Sequence, residues 1–327
     1  MTSYEKSLRF GSWVVVCSLL LRLCSEGYPA KLKAILINSE TGQAVRSSLS
    51  EPVFAYPPES PPPAQAAPVE TTEATEAPAP PEPLVFTEAD TVSLYNTAGL
   101  NVDPMALLRA EMTLPESEGP QVFLYSTHAT ESYTKTQENY LESAAYRTLD
   151  PDYNVLSLGA ALKTELEALG IETVRDETLH DYPSYNAAYS HSRKTVRQYL
   201  KDTPSLALSL DLHRDAADTA SGQLRPLANV EGASAAQIML VVGTDARLSN
   251  PNWQKNLSLA LKLQALLERI SPGITRPTCL RPQRFNQDLS PGCLLIEIGG
   301  AGNTHAEALA ALPVLAQAIA QLLQRLQ

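Results

Sequence analysis

Cysteine is scarce in this chain of 327 residues, which has four, and histidine is nearly as scarce, with five. Cys17 and Cys24 belong to an apolar N-terminal stretch, so only Cys279 and Cys293 are left for the remainder. Two thiols cannot build a disulfide framework, and without close Cys pairs there is no zinc knuckle. A single bridge or two unpaired thiols are the readings left. Unpaired thiols suit Cys293, which opens a strand-like apolar run where Cys packs as a small hydrophobe. Basic residues are outnumbered as well: 25 Lys and Arg against 36 Asp and Glu leave a net charge of −11 and a pI near 5.0. No basic face is available to neutralise phosphates, which argues against nucleic acid as a partner. There is no HExxH, no full GxGxxG, no Walker lysine and no GxSxG elbow, so a helix-borne zinc protease, nucleotide binding and serine hydrolysis lack their required parts. No internal repeat occurs.

What is present begins with Lys6 and Arg9 ahead of Trp13-Val-Val-Val-Cys-Ser-Leu-Leu-Leu21, a run that Arg22 interrupts. A charged start and a short run apolar on all sides read as a signal or membrane-anchor segment over residues 1–25, and not as an amphipathic helix. Export follows from that reading. Residues 26–90 read as a linker. Between Glu51 and Asp90 lie 11 of the chain's 25 prolines, mixed with Ala, Thr and Glu, a composition that favours a stiff, disordered spacer. Residues 91–118 then connect to one catalytic domain over 119–327, about the size of a single hydrophobic core.

In that domain two periods alternate. Val122–Tyr125, Ile171–Val174, Leu206–Leu212, Ile238–Val242 and Leu294–Ile298 read as strands, several apolar on both faces as buried parallel strands are. Val155, Leu158, Leu162, Leu166 and Leu169 recur at helical spacing until Gly170 stops them, and Asn252–Ile270 and Thr304–Leu326 repeat the pattern. The alternation predicts an α/β fold, a mainly parallel sheet flanked by helices, whose ligands bind beyond the carboxyl ends of the strands.

His128 follows the first of these strands, His213 ends the third and Glu297 lies near the end of the last. Two imidazoles and a carboxylate with one open position match a catalytic zinc site, and a second carboxylate would take the proton from water. Glu131, three residues past His128, can fold back to the same ion, leaving Glu297 as the base. The same positions would also suit histidines that only cap strand ends through hydrogen bonds. Arg214 and Asp215 would bind a peptide carboxylate or form a surface ion pair. Asn286, with Gln287 and Asp288, would line a groove or simply reflect loop polarity. Gly299-Gly-Ala-Gly302 reads as a tight turn capped by Asn303 or Thr304. Tyr182, Tyr185 and Tyr189 would stack on sugar rings or pack against the domain, and packing is favoured.

Five motifs together carry a resemblance: Tyr125-Ser-Thr-His-Ala-Thr-Glu-Ser-Tyr133, His180-Asp-Tyr-Pro-Ser-Tyr-Asn186, Asp211-Leu-His-Arg-Asp-Ala216, Asn286-Gln-Asp-Leu-Ser-Pro-Gly292 and Glu297-Ile-Gly-Gly-Ala-Gly-Asn-Thr304. Over about residues 120 to 325, and in this order, the chain resembles the stage II sporulation protein P family. The resemblance implies a membrane-anchored peptidoglycan hydrolase of endospore formers, an N-acetylmuramoyl-L-alanine amidase that also cleaves peptide cross-links. It further implies action on septal wall during engulfment beside a lytic transglycosylase, stage II sporulation protein D. That family in turn is similar to the zinc-dependent cell-wall amidases, whose sites use His, Glu, His and a catalytic Glu. Carried over by motif, this implies His128 and His213 as zinc ligands and Glu297 as general base. For the third ligand two carboxylates stay open: Glu131, favoured because it lies in the more distinctive motif close to His128, and Asp150, which stands ahead of the first long helix where the wall amidases have their ligating Glu. The one departure in the motifs, Ala187-Ala188 in place of Gly-Ser, leaves every proposed ligand in position. A protein that binds the wall or acts as a scaffold, with this fold but no turnover, is the other reading.

Overall fold

The computed structural model describes residues 84–115, 118–134, 146–219 and 222–326. The expected signal or anchor segment and residues 26–83 of the expected linker lie outside the described residues. In chain order the strands are β1 (Leu94–Asn96), β2 (Val122–Tyr125), β3 (Thr173–Arg175), β4 (Leu208–Asp215), β5 (Asp218–Thr219), β6 (Gly222–Gln223), β7 (Leu227–Val230), β8 (Ala233–Ala236), β9 (Ile238–Gly243), β10 (Thr278–Arg281) and β11 (Cys293–Gly300). The helices are α1 (Pro104–Arg109), α2 (Val155–Ala168), α3 (Ala188–Asp202), α4 (Trp253–Ile270), α5 (His305–Ala310) and α6 (Leu312–Leu326).

Seven strands form one sheet in the order β1-β10-β9-β11-β4-β2-β3, while β5–β6 and β7–β8 are separate two-stranded pairs. The fold is α/β and mainly parallel, as the alternation predicted: of the sheet's pairings only β9–β11 is antiparallel. The sheet is therefore two parallel halves of opposite sense. β2, β3, β4 and β11 end on one edge, whereas β1, β9 and β10 end on the other, so only the first group can deliver strand-end residues to a common site.

Side chains alternate across each strand. Leu208, Leu210 and Leu212 of β4, Val122 and Leu124 of β2, and Leu294, Ile296 and Ile298 of β11 enter the main core, shared with buried leucines of α2, α4 and α6. The intervening positions face the opposite way, where Phe123 and Tyr125 pack with Val196 of α3. Asp211, His213 and Glu297 occupy that second parity and are thereby kept off the apolar face.

Three expectations change. The helical pattern over Thr304–Leu326 is two helices, because Pro313 has no N–H to continue a ladder and fits only in the first turn of α6. The folded unit also starts well before residue 119. Phe86, Leu108 and Leu114 are buried in the main core, β1 pairs with β10, and Arg269 Nε meets Asp90 at 2.6 Å. Composition averaged over 51–90 hid the apolar residues that follow Pro83. Helix α3 and strands β1 and β10 stand where no helix or strand was expected, since α3 is mostly polar and the two strands are short. Cys279 and Cys293 are free, buried thiols, with burial pushing Cys293 up to about 12.

Candidate active site

The chain leaves β2 into Ser126-Thr127-His128, and Thr127 fastens this exit to the neighbouring strand. Its backbone N–H donates to Asp211 Oδ1 at 2.7 Å and its hydroxyl to Asp211 Oδ2 at 2.6 Å. A turn closed by Glu131 N donating to His128 O at 3.0 Å brings the chain back towards β4. Glu131 Oε2 then lies 3.3 Å from His213 Nδ1 and accepts the Arg214 backbone N–H at 3.2 Å. Across the sheet, Glu297 of β11 is the register partner of His213 of β4, so both side chains rise from the same face. His128 meets His213 edge-on, with ring centroids 5.5 Å apart. After Glu297 the strand is irregular: the β11–β4 register shifts between Glu297 and Gly300. Gly299 sits at φ +70°, and a Cβ there would lie 2.7 Å from Asn303 Oδ1 and 2.8 Å from the Ala236 methyl, so only glycine fits. Thr304 closes the turn as the N-cap of α5, in a capping box with Glu307.

Electrostatics separates the four groups. Burial alone would raise Glu131, but the hydrogen bond from His213 and the charges of His213, Arg214 and His128 outweigh it and hold the carboxyl at about 2. Burial would likewise lower His213, yet Asp211 and Glu131 on either side raise it well above the ordinary imidazole range. His128 shifts the other way, lowered by burial and by the charge of His213. Glu297 is pushed up to about 8, chiefly by burial and by the nearby carboxylates of Glu131 and Asp215, against the pull of His213 and Arg214. The two imidazoles are thus pushed in opposite directions, His213 up and His128 down, and so are the two carboxyls, Glu131 down and Glu297 up.

The donor chemistry fits a zinc ion. His128 Nδ1 and His213 Nε2 are buried without a hydrogen-bond partner, as is Glu297 Oε2. His213 Nε2 is 2.9 Å from Asp211 Oδ1 but badly aligned for a hydrogen bond. In this arrangement His213 pairs with its flanking carboxylates, and among the described residues no three His, Cys, Asp or Glu side chains are already gathered at coordinating distance. Asp150 is exposed and its Oδ1 accepts from Asp152 N at 3.1 Å, whereas Glu131 is buried with Oε2 beside His213 Nδ1.

Arg214 and Asn286 are placed differently from a substrate-binding role. Arg214 is buried, its Nε donating to Ser132 O at 3.0 Å and its Nη2 to Tyr146 O at 2.8 Å. Asn286 is also buried, in a left-handed conformation, donating to Tyr189 O and Ser192 Oγ. Both brace loops behind the site. Asp215 bonds Arg276 instead of Arg214, at 2.8 Å.

Sequence reasoning missed three neighbours. Asp211 had a signal, since it stands two residues before His213 on the same strand face. Asp181 receives the Thr130 hydroxyl at 2.6 Å and Arg147 Nη1 at 2.9 Å, and Arg147 Nη2 reaches Glu131 at 3.4 Å. Nothing in the spacing of Arg147 relative to Asp181 announces that contact.

The sequence profile of the stage II sporulation protein P family matches residues 58–320. Stage II sporulation protein P of Bacillus subtilis (strain 168) is 29% identical over 205 residues, which are 57% of this chain and 47% of that protein; the match spans about half of that relative's length. Among solved structures, the fold is similar to the CwlD amidase from Clostridioides difficile in complex with the GerS lipoprotein, at 12% identity and a TM-score of 0.41, covering 63% of this chain and 98% of that one. It is also similar to the N-acetylmuramyl-L-alanine amidase Ami1 from Mycobacterium smegmatis, at 13% identity and a TM-score of 0.37, covering 65% and 99%.

Proposed function

The chain belongs to the stage II sporulation protein P family, and from that premise we propose that it is a peptidoglycan hydrolase of sporulation, a zinc-dependent N-acetylmuramoyl-L-alanine amidase. The observation that carries the reading is the meeting of His128, Glu131, His213 and Glu297 at one sheet edge, with His128 Nδ1 and Glu297 Oε2 buried and without a hydrogen-bond partner. His128, Glu131 and His213 would hold the metal. Bound there, zinc polarises a carbonyl and brings the pKa of water towards neutrality.

The chain's own groups do the rest. Glu297, whose buried Oε2 has no hydrogen-bond partner, would take a proton at that atom and return it to the leaving amine, so a single carboxyl serves as base and then acid. Asp211 would keep the His213 ring oriented, as a carboxylate behind a ligand imidazole does. The Arg214 backbone N–H and the Arg147 guanidinium would restrain Glu131. The amide cleaved would be the one between the lactyl group of muramic acid and L-alanine. The proposal extends to cleavage of peptide cross-links, to septal wall as the place of action during engulfment, to stage II sporulation protein D as a partner, and to membrane attachment through residues 1–25.

Dye release from labelled peptidoglycan, with and without a chelator, tests it. Release should stop on chelation and return with added zinc, and His128→Ala and His213→Ala should lose both metal and release while keeping the circular dichroism of the parent. Release that ignores the chelator would remove zinc from the mechanism. Tight wall binding with no release under any condition would favour a scaffold role.

A further inference from the structure

Two tyrosines of one short stretch stand open to solvent: Tyr182 is 54% exposed, and Tyr185, which stacks on the buried imidazole of His128, is 52% exposed. Large apolar side chains exposed singly call for no explanation, but here two rings share the four-residue stretch that follows Asp181, whose carboxylate lies 3.9 Å from His128 Nδ1. Tyr185 lies parallel to His128, with centroids 4.4 Å apart and planes 12° apart, and the Arg147 guanidinium carbon is 4.6 Å from the Tyr185 centroid. The residue as a whole remains half exposed even so. Tyr189 behaves differently: it is partly buried and edge-on to His128, which is packing.

The root of this stretch is fixed. His180 is buried with its ring nitrogens 3.0 Å from Ser126 O and 3.0 Å from Thr195 Oγ1, and buried Asp181 accepts from the Thr130 hydroxyl and from Arg147. An exposed tip on a rigid root presents its rings without an ordering cost on binding. Aromatic faces carry negative potential and attract the polarised C–H groups that crowd one face of a pyranose. In a muramoyl amide the scissile bond hangs from the sugar by a short lactyl ether, so the ring of that sugar must lie close to whatever flanks the metal ligands.

We propose that Tyr182 and Tyr185 form a sugar subsite for the glycan strand, their open surfaces packing on a pyranose adjacent to the reacting amide. The proposal rests on peptidoglycan being the substrate, and its test reads glycan binding separately from hydrolysis. The full chain is titrated calorimetrically with glycan strands stripped of stem peptides. The parent should bind; Tyr182→Leu and Tyr185→Leu should each weaken binding about tenfold, and Tyr185→Phe should bind like the parent. On whole wall, Tyr182→Leu should raise KM with little change in kcat and with unchanged metal content. Absence of glycan binding by the parent, or parental affinity in both Leu variants, overturns the subsite. Should Tyr185→Leu misfold through loss of its stack on His128, Tyr182→Leu decides alone. Intact glycan binding with no metal-dependent release would count against the amidase reading and leave the subsite standing.

Discussion

Glu297 and His213 are register partners on adjacent parallel strands, and their side chains rise from the same face at the carboxyl edge of the sheet. A carboxyl so placed needs no loop to carry it to the reacting atoms. Its tuning follows from the same position, since burial raises Glu297 while His213 opposite limits the rise. Glu297→Gln is nearly isosteric and cannot accept a proton. The variant should keep its metal, measured by elemental analysis, and lose about 10²-fold or more in rate of dye release. A Gln variant with normal turnover would place the base elsewhere.

Arg147 divides its guanidinium between two buried carboxylates, Asp181 at 2.9 Å and Glu131 at 3.4 Å. Arg147→Gln would leave Asp181 without its guanidinium and take one of the cations from Glu131, and breaking a buried pair from one side is costly. Urea unfolding should show a loss of about 3 kcal/mol. Arg147→Lys should recover only part of it, because a point charge cannot span two acceptors as the planar fork does.

Phe86 is a core residue although it sits only three positions beyond the proline-rich stretch. Its ring lies against Lys262 and Arg269, with the ammonium nitrogen 5.3 Å and the guanidinium carbon 4.9 Å from the centroid. Phe86→Ala should cost about 3 kcal/mol in urea unfolding. A fragment beginning at residue 91 should be less stable than one beginning at residue 77, through loss of Phe86 and of the Asp90–Arg269 pair; equal midpoints for the two fragments would contradict the placement of residues 84–90 in the fold.

Lys262 is buried and donates to the carbonyls of Leu108 and Ala110 at the end of α1, the second at 2.8 Å. Burial pushes its amine down to about 8, against roughly 10.4 in an unfolded chain. Below the lower value both states hold the proton and the cost of burying charge is fully present. Between the two values only the unfolded chain is protonated, so stability should rise with pH across that window. Lys262→Met removes the effect. Denaturation midpoints measured from pH 7 to 10 should climb more steeply for the parent than for this variant, and parallel curves would refute the assignment.

Local pattern was enough for part of this molecule. The apolar runs at Val122, Ile238 and Leu294 and the heptad-like spacing from Val155 to Leu166 specify strands and helices because burial alone decides them, and a strand's end locates whatever residue follows it. The strand-end positions of His128, His213 and Glu297 were legible in that way, and Gly170 and Thr304 mark boundaries through backbone chemistry that belongs to single residues. Pairing between distant segments is not encoded in any one of them. That β9 runs antiparallel to β11 and sends its own end to the far edge, that β1 closes the sheet beside β10, and that Asp211, Asp181 and Arg147 surround the imidazoles all depend on which segments meet in space. The same holds for Arg214 and Asn286, polar enough to face a substrate, which only the tertiary structure commits to bracing buried loops: a buried donor must find acceptors, and those acceptors come from elsewhere in the chain.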